Sequence, residues 1–334
     1  MTTNVGVIGT GNIGTYHVNT LAHQVSGAAV TAVFDVDAER AKTLAGEVGA
    51  SAHATAEDVI VDDAVDAVLI ASPGPLHPQQ VLACLDAGKP VLCEKPLGTT
   101  TEECLAVVDA EIASGRQLIQ VGFMRRYDLG YQEVKGVLDS GRIGEPLMVH
   151  CMHRNPSVPA SFHADMAITD SVVHEIDTTR WLLGEEIIAV TVLAGRRSPN
   201  ASSDDPQLVL FETESGVLVD LESFVNCQYG YDVRCELVGS EGVTTLENPT
   251  LSSVTQTAAR STMVPADWRS RFGAAYLVEL QAWVDSVVTG EYGGADAWDG
   301  YVATAVAEAG LRARAEHGRV EVELVDRPSF YARP

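Results

Sequence analysis

The sequence predicts an α/β protein: a doubly wound parallel sheet over residues 1–122, followed over residues 123–334 by an α+β domain with an open, largely antiparallel sheet. Three observations lead there. A glycine-rich turn, Gly9-Thr10-Gly11-Asn12-Ile13-Gly14, joins an apolar strand to a helical stretch. Strand and helix patterns then alternate at spacings suited to parallel crossovers. Beyond Gly122 the pattern turns to period-two alternation, as in Gln207 to Phe211 and Val217 to Val225 across the turn Glu214-Ser215-Gly216.

Composition narrows the function classes. A chain of 334 residues suits two domains with separate cores, and 46% apolar with 20% charged residues is a globular composition. The net charge of -24, from 22 basic and 46 acidic groups, opposes a nucleic-acid partner or an anionic membrane surface and suits a small neutral substrate. Six cysteines, at 84, 93, 104, 151, 227 and 235, form no C-x-x-C pair and read as reduced core thiols, which points to the cytoplasm. The uncharged run Ala67 to Leu85 is broken by Pro73, Gly74, Pro75 and Pro78, so it predicts a strand, a loop and a helix start, not a membrane span. The first residues enter strand-like sequence without an export-signal pattern.

Taken in order, Val5 to Ile8 is the first strand, and a helix runs from the glycine turn to Leu21. Gly9 permits the tight turn, Gly11 lets a pyrophosphate approach the backbone, and Gly14 allows close packing of helix on strand, with the helix N-terminus facing the anion. A second strand, Val30 to Phe34, ends in Asp35, 21 residues after Gly14, where a Rossmann domain carries its ribose-binding carboxylate. That charge repels a 2′-phosphate and favours NAD over NADP. Arg40 stands too far along the following helix to be assigned to a phosphate. Helices at Ala38 to Glu47, Pro78 to Ala87 and Thr101 to Ala113 alternate with strands at Ala67 to Ala71, from Val91 into Lys95, and at Leu118 to Val121. Ser72 and His77, in the loop after one of these strands, fit either turn residues or cofactor contacts. Glu94-Lys95-Pro96 closes another, and Pro96 restricts Lys95 to extended geometry, so the lysine leaves the strand end toward the crevice where such sheets bind ligands.

In the second domain, Met124-Arg125-Arg126-Tyr127 leads into a helix ending near Ser140-Gly141, and a strand begins at Pro146. His150 to Pro156 continues that strand, which puts Cys151, His153 and Asn155 on one face. His153 and Asn155 can bind hydroxyls; polar residues at a fraying strand end are the alternative. Asp170 to Leu183 predicts a helix with Thr169 as N-cap and Gly184 as stop, so that Asp170 and His174 form an i,i+4 pair. Asp170 is either a first-turn acid complementing the helix dipole or a carboxylate that orients an imidazole acting as general acid/base. His150, His153, Asp170 and His174 lack the second helical histidine and the thiols of a metal site, so no metal is expected. Arg196 to Asp205 reads as a polar loop, and helices at Ala274 to Val288 and Ala297 to Glu316 close the chain.

The glycine motif, Asp35, Glu94-Lys95-Pro96 and the D-x-x-x-H pair, in this order, resemble the glucose-fructose oxidoreductase and inositol dehydrogenase family over essentially the whole chain. Met124 to Asp128, Ile143 to Leu147, His153 to Pro156, Asp170 to Asp177, Asn226 to Asp232 and Ala297 to Tyr301 are similar to the bacterial myo-inositol 2-dehydrogenases of that family. The resemblance implies NAD-dependent oxidation of a secondary ring alcohol, carbon 2 of myo-inositol first, with other inositol stereoisomers, sugars and NADP as alternatives. A nucleotide-sensing regulator without turnover is the rival from another class. By resemblance Lys95, Asp170 and His174 are catalytic, and Gly9, Gly11, Asn12, Ile13, Gly14, Asp35, Ser72, His77 and Glu94 surround the cofactor. Met124, Arg125, His153, Asn155, Tyr231 and Tyr276 line a polyol pocket. A cis bond before Pro96 and a homotetramer formed through the open sheet are implied as well.

Overall fold

The computed structural model describes residues 2–247 and 252–332. The chain divides into two compact units, one made of Met1–Phe123, Tyr276–Thr304 and Val325–Pro334, the other of Met124–Ala275 and Ala305–Leu324.

The first unit is built on strands β1 (Thr3–Ile8), β2 (Ala28–Phe34), β3 (Ser51–Ala52), β4 (Ala67–Ile70), β5 (Val91–Glu94) and β6 (Ile119–Gly122). They form one parallel sheet in the order β3-β2-β1-β4-β5-β6. The order reverses beside β1, which places the ligand crevice at the carboxyl ends of β1 and β4. Helices α1 (Asn12–His23), α2 (Ala38–Val48), α3 (Ala56–Val61), α4 (His77–Asp86) and α5 (Thr101–Ser114) make the crossovers. Local chemistry fixes their starts: Asp37 caps α2 through Arg40 N, and α3 and α5 open with capping boxes, Thr55 with Asp58 and Thr100 with Glu103. The short β3 and α3 lack a sequence pattern long enough to stand out and were not expected.

The second unit contains α6 (Leu129–Asp139), β7 (Pro146–Arg154), the single turn α7 (Ala164–Met166), a π-helical turn over Ala167–Val172 and α8 (Val173–Leu183). Strands β8 (Ile187–Ala194), β9 (Gln207–Thr213), β10 (Leu218–Phe224), β11 (Asp232–Gly239) and β12 (Val243–Thr245) follow, then the hairpin β13 (Ser253–Gln256) and β14 (Ala259–Thr262). The chain ends with α9 (Trp268–Thr289), α10 (Ala297–Glu316) and β15 (Arg319–Glu321). Seven strands form the sheet β12-β11-β7-β10-β9-β8-β15, antiparallel except for the β10–β7 pair. Its two faces differ by the period of two. Val149, Cys151, His153, Val219, Leu221, Val209 and Phe211 are buried on one, whereas Met148, Leu218, Leu208 and Leu193, aligned by register, are exposed on the other.

Two expectations are revised here. The single cut at residue 122 does not describe the packing, because Leu280, Trp283 and Val284 of α9 join the core formed by Val5, Val7, Val18 and Leu21. An amphipathic helix far along the chain carries no label saying which sheet it will cover. The helical run expected to open behind a Thr169 cap begins instead at Ala164, and Thr169 Oγ1 reaches back to Asp165 O at 3.4 Å. No capping side chain marks the true start at His163, while buried Ala164, Ala167 and Ile168 extend the apolar stripe one turn earlier. The segment 195–206 is a loop as expected, tied to the end of β10 by Asp205, whose carboxylate accepts from Val225 N (2.9 Å) and Asn226 Nδ2 (3.0 Å). Among the described residues, no helix is long and apolar enough to cross a membrane.

Candidate active site

In the first unit the glycine turn is shaped for a phosphate ligand. A Cβ at Gly14 would come within 1.9 Å of Gly9 O, and one at Gly9, where φ is +93°, within 2.5 Å of the Ala71 main chain. Both glycines are therefore demanded by the packing of turn, helix and sheet. A Cβ at Gly11 would meet nothing within 4 Å. Gly11 is the N-cap of α1, which has no side-chain cap and no acidic residue in its first turn, so its leading amides stay open to an anion. Asn12 is exposed and Ile13 packs onto the sheet core. These features fit a dinucleotide whose pyrophosphate lies over Gly11.

Asp35 stands at the end of β2 with its side chain nearly buried. Oδ2 accepts from Thr10 N (2.6 Å) and Thr10 Oγ1 (3.0 Å), and Oδ1 from Asp37 N (2.8 Å) and Arg40 Nη2 (2.6 Å). Burial pushes its pKa up, but the backbone bonds from Asp37 and Thr10, with Arg40, outweigh it and hold the carboxyl below its ordinary value.

The other candidates at this sheet edge brace one another. His77 has both ring nitrogens at 2.7 Å from carbonyls, Nδ1 from Pro96 O and Nε2 from Ser72 O, so it ties the loop after β4 to the loop after β5. Ser72 Oγ donates to Gln80 Oε1 at 2.6 Å. Glu94 is buried, with Oε1 2.6 Å from His17 Nε2 of α1 and Oε2 accepting from Lys95 N at 3.2 Å. Lys95 is half-buried and its bond to Pro96 is cis. Tyr276 lies edge-on to Tyr16 and His17, at centroid distances of 5.7 and 5.6 Å.

The second unit gathers most of the remaining candidates. His153, on the buried face of β7, has its ring 6.2 Å from that of His174 and 5.9 Å from that of Tyr231. Beneath it lies a buried charge pair: Arg125 Nη1 donates to Glu175 Oε1, while His153 Nδ1 is 3.1 Å from Glu175 Oε2 and 3.2 Å from Arg125 Nη2. Burial would raise the Glu175 pKa, but Arg125 and then His153 overcome it and hold it low. Burial raises the Tyr231 phenol, so it is a neutral hydroxyl in the working range. Arg126 pairs with Asp177 through Nε (3.0 Å) and Nη2 (2.5 Å), fixing the segment that carries Met124 and Arg125 against α8. Met124 itself is buried. Asn155, just past β7, has its Oδ1 buried without a hydrogen-bond partner. Asp170 is exposed in the π-helical turn and His174 is buried in the first turn of α8. The Asp170–His174 spacing therefore spans a junction of π and α geometry, a distortion often found at functional sites.

Sequence reasoning missed Glu175, His17 and Arg40. Glu175 adjoins His174, yet nothing in the sequence joins it to Arg125, 50 residues away. His17 meets Glu94 across 77 residues, so only the closed sheet reveals that pair. Arg40 was in view, but its turn back to Asp35 depends on a side-chain path that periodicity does not encode.

Residues 3–123 match the family model described as oxidoreductase family, NAD-binding Rossmann fold, and residues 135–322 match that of the oxidoreductase family, C-terminal alpha/beta domain. Inositol 2-dehydrogenase 3 of Saccharopolyspora erythraea is 51% identical over 333 residues, which is 99% of this chain and 98% of that protein. The crystal structure of myo-inositol dehydrogenase from Lactobacillus casei in complex with NAD(H) and myo-inositol superposes with a TM-score of 0.96 at 37% identity, covering 99% of this chain and 100% of that one. That of scyllo-inositol dehydrogenase from Lactobacillus casei with NAD(H) and scyllo-inositol gives 0.89 at 26% identity, over 96% and 99% of the two chains. With its two matched domains and its glycine turn shaped for a dinucleotide, the chain belongs to the glucose-fructose oxidoreductase and inositol dehydrogenase family of NAD-dependent oxidoreductases.

Proposed function

We propose that the protein oxidises carbon 2 of myo-inositol to the ketone, using NAD, with Lys95, Asp170 and His174 as its catalytic residues. The observation that carries this reading is the ring cluster of His153, His174 and Tyr231 over the buried Arg125–Glu175 pair. Such a cluster presents imidazole and phenol edges, and Asn155 adds a buried amide oxygen awaiting a donor. A ring with a hydroxyl on every carbon supplies such donors and acceptors all around.

Bound NAD supplies the acceptor for the carbinol hydride. His174 takes the hydroxyl proton, and Asp170 orients its imidazole. Lys95 donates to the same oxygen and stabilises the negative charge that develops there. His153 and Asn155 hold the ring, which gains the advantage of orientation. Glu175 keeps the His153 ring in one plane and Arg125 keeps Glu175 ionised. Met124, Tyr231 and Tyr276 are proposed as further contacts of the polyol.

A homotetramer formed through the exposed face of the seven-stranded sheet, working in the cytoplasm, belongs to the same proposal. Met148, Leu218, Leu208 and Leu193 support the first part, since aliphatic side chains exposed along one sheet face gain from being covered. Six free cysteines, with Cys151 and Cys235 opposed on neighbouring strands, support the second.

One panel tests the substrate: NAD reduction with myo-, scyllo- and D-chiro-inositol and glucose, each repeated with NADP. The reading requires the highest kcat/KM for myo-inositol with NAD. A higher value for another polyol reassigns the substrate, and absence of turnover with every one sinks the enzyme reading.

A further inference from the structure

We propose that Arg40 is an exchangeable cation on the ribose-recognition carboxylate, yielding Asp35 to the adenosine ribose of NAD and pairing with the 2′-phosphate when NADP binds instead. The inference starts from the four hydrogen bonds that Asp35 already accepts, two on each oxygen. An ionised carboxylate offers about four lone-pair sites. All are taken, yet the ribose diol must donate to this same group.

The donors differ in how readily they can leave. Thr10 N is fixed in the glycine turn, and Asp37 N lies at the start of α2, where Asp37 is the cap. Thr10 Oγ1 is buried beside its own backbone amide. Arg40 is a long side chain, 45% exposed, whose further ion pair is a loose one at 3.7 Å to the exposed Asp37. It is the donor that can move at little cost, because solvent replaces what it gives up. Released, its guanidinium stays tethered in the first turn of α2 beside the ribose 2′ position. A planar fork of donors there matches a phosphate. The carboxylate repels the 2′-phosphate and Arg40 offsets part of that repulsion, so NADP binds more weakly than NAD but measurably.

Titration of NADH and NADPH by fluorescence, without polyol, tests this directly and does not depend on the catalytic assignments. Wild-type protein is compared with Arg40→Met, which keeps the apolar stem, and with Arg40→Lys. Arg40→Met is expected to bind NADH as well as wild type or several-fold tighter, and NADPH about tenfold more weakly, with Arg40→Lys between the two for NADPH. Raising salt should weaken NADPH binding to wild type and leave Arg40→Met nearly unchanged. In an Asp35→Ser background the Arg40→Met change should no longer tighten NADH. Weaker NADH binding by Arg40→Met overturns the exchange, because Arg40 would then be a ribose contact. Equal NADPH binding by wild type and Arg40→Met, or none by wild type at millimolar concentration, overturns the phosphate role. The wild-type NADH titration is the separate control on the cofactor itself.

Discussion

At the scale of single residues, Lys95 divides a structural from a catalytic reading most sharply. A solvated strand-end lysine replaced by methionine changes stability by no more than about ±0.5 kcal/mol and touches no chemistry. A lysine that stabilises a developing alkoxide is worth about 2.7–4 kcal/mol of barrier, by comparison with a lost oxyanion donor. Lys95→Met should therefore lower turnover roughly 100-fold or more. NADH binding should survive, because Gly9, Gly11, Gly14 and Asp35 are untouched. Folded Lys95→Met protein that binds NADH and turns over within a few-fold of wild type would remove Lys95 from the mechanism. The buried contacts of Glu94 with His17 and with the Lys95 backbone hold this strand end in place.

At the scale of elements, β7 and α8 meet through one charge cluster. His153 lies on β7 and Glu175 in the first turn of α8, and Arg125 from the short turn before α6 closes the contact. Removing one partner of a buried pair strands the other, at a cost of about 3–5 kcal/mol. Glu175→Gln should lower stability by that order at neutral pH and raise KM for the polyol, since His153 loses its brace. The pH dependence has a definite sign. Arg125 and His153 lower the folded pKa of Glu175 below its unfolded value of about 4.3, so their stabilisation is complete above that value and fades as pH falls toward the folded pKa. Urea melts of wild type between pH 6 and 3 should show this loss, about pH 4 and below, with a shallower slope in Glu175→Gln. Parallel profiles for the two proteins would mean that Glu175 is not ionised in the fold.

At the scale of the whole molecule, assembly is the open property. The outer face of the seven-stranded sheet combines Met148, Leu218, Leu208 and Leu193 with polar groups that already have partners, His150 with Asp220 and Arg154 with Glu222 at 2.6 Å. A face of partnered polar groups and exposed aliphatics can be covered without stranding a charge. A chain of net charge -24 repels its copies over distance, so the proposed assembly needs the exposed aliphatic side chains to supply its attraction. Light scattering at micromolar concentration should give four chains, and Met148→Glu with Leu218→Glu should shift the protein to smaller species. A wild type that stays monomeric under those conditions would leave the exposed face without this role.

The sequence by itself determined the parts of this protein whose physics is local. Period-two and helical patterns set most elements of both units, and the glycine turn with Asp35 set the cofactor, because tight turns, caps and strand ends are decided by near neighbours in the chain. His153, Asn155, Asp170 and His174 stood out for the same reason, as polar groups on faces whose pattern was readable. Tertiary structure alone decided which distant groups meet. It gave α9 to the core of the first unit through Leu280 and Trp283, started the helical run at Ala164 without a cap, and joined Arg125 to Glu175 and His17 to Glu94. It also turned Arg40 back onto Asp35. Periodicity records whether a side chain is buried, but not what it meets there, and a buried charge or imidazole is decided by that partner.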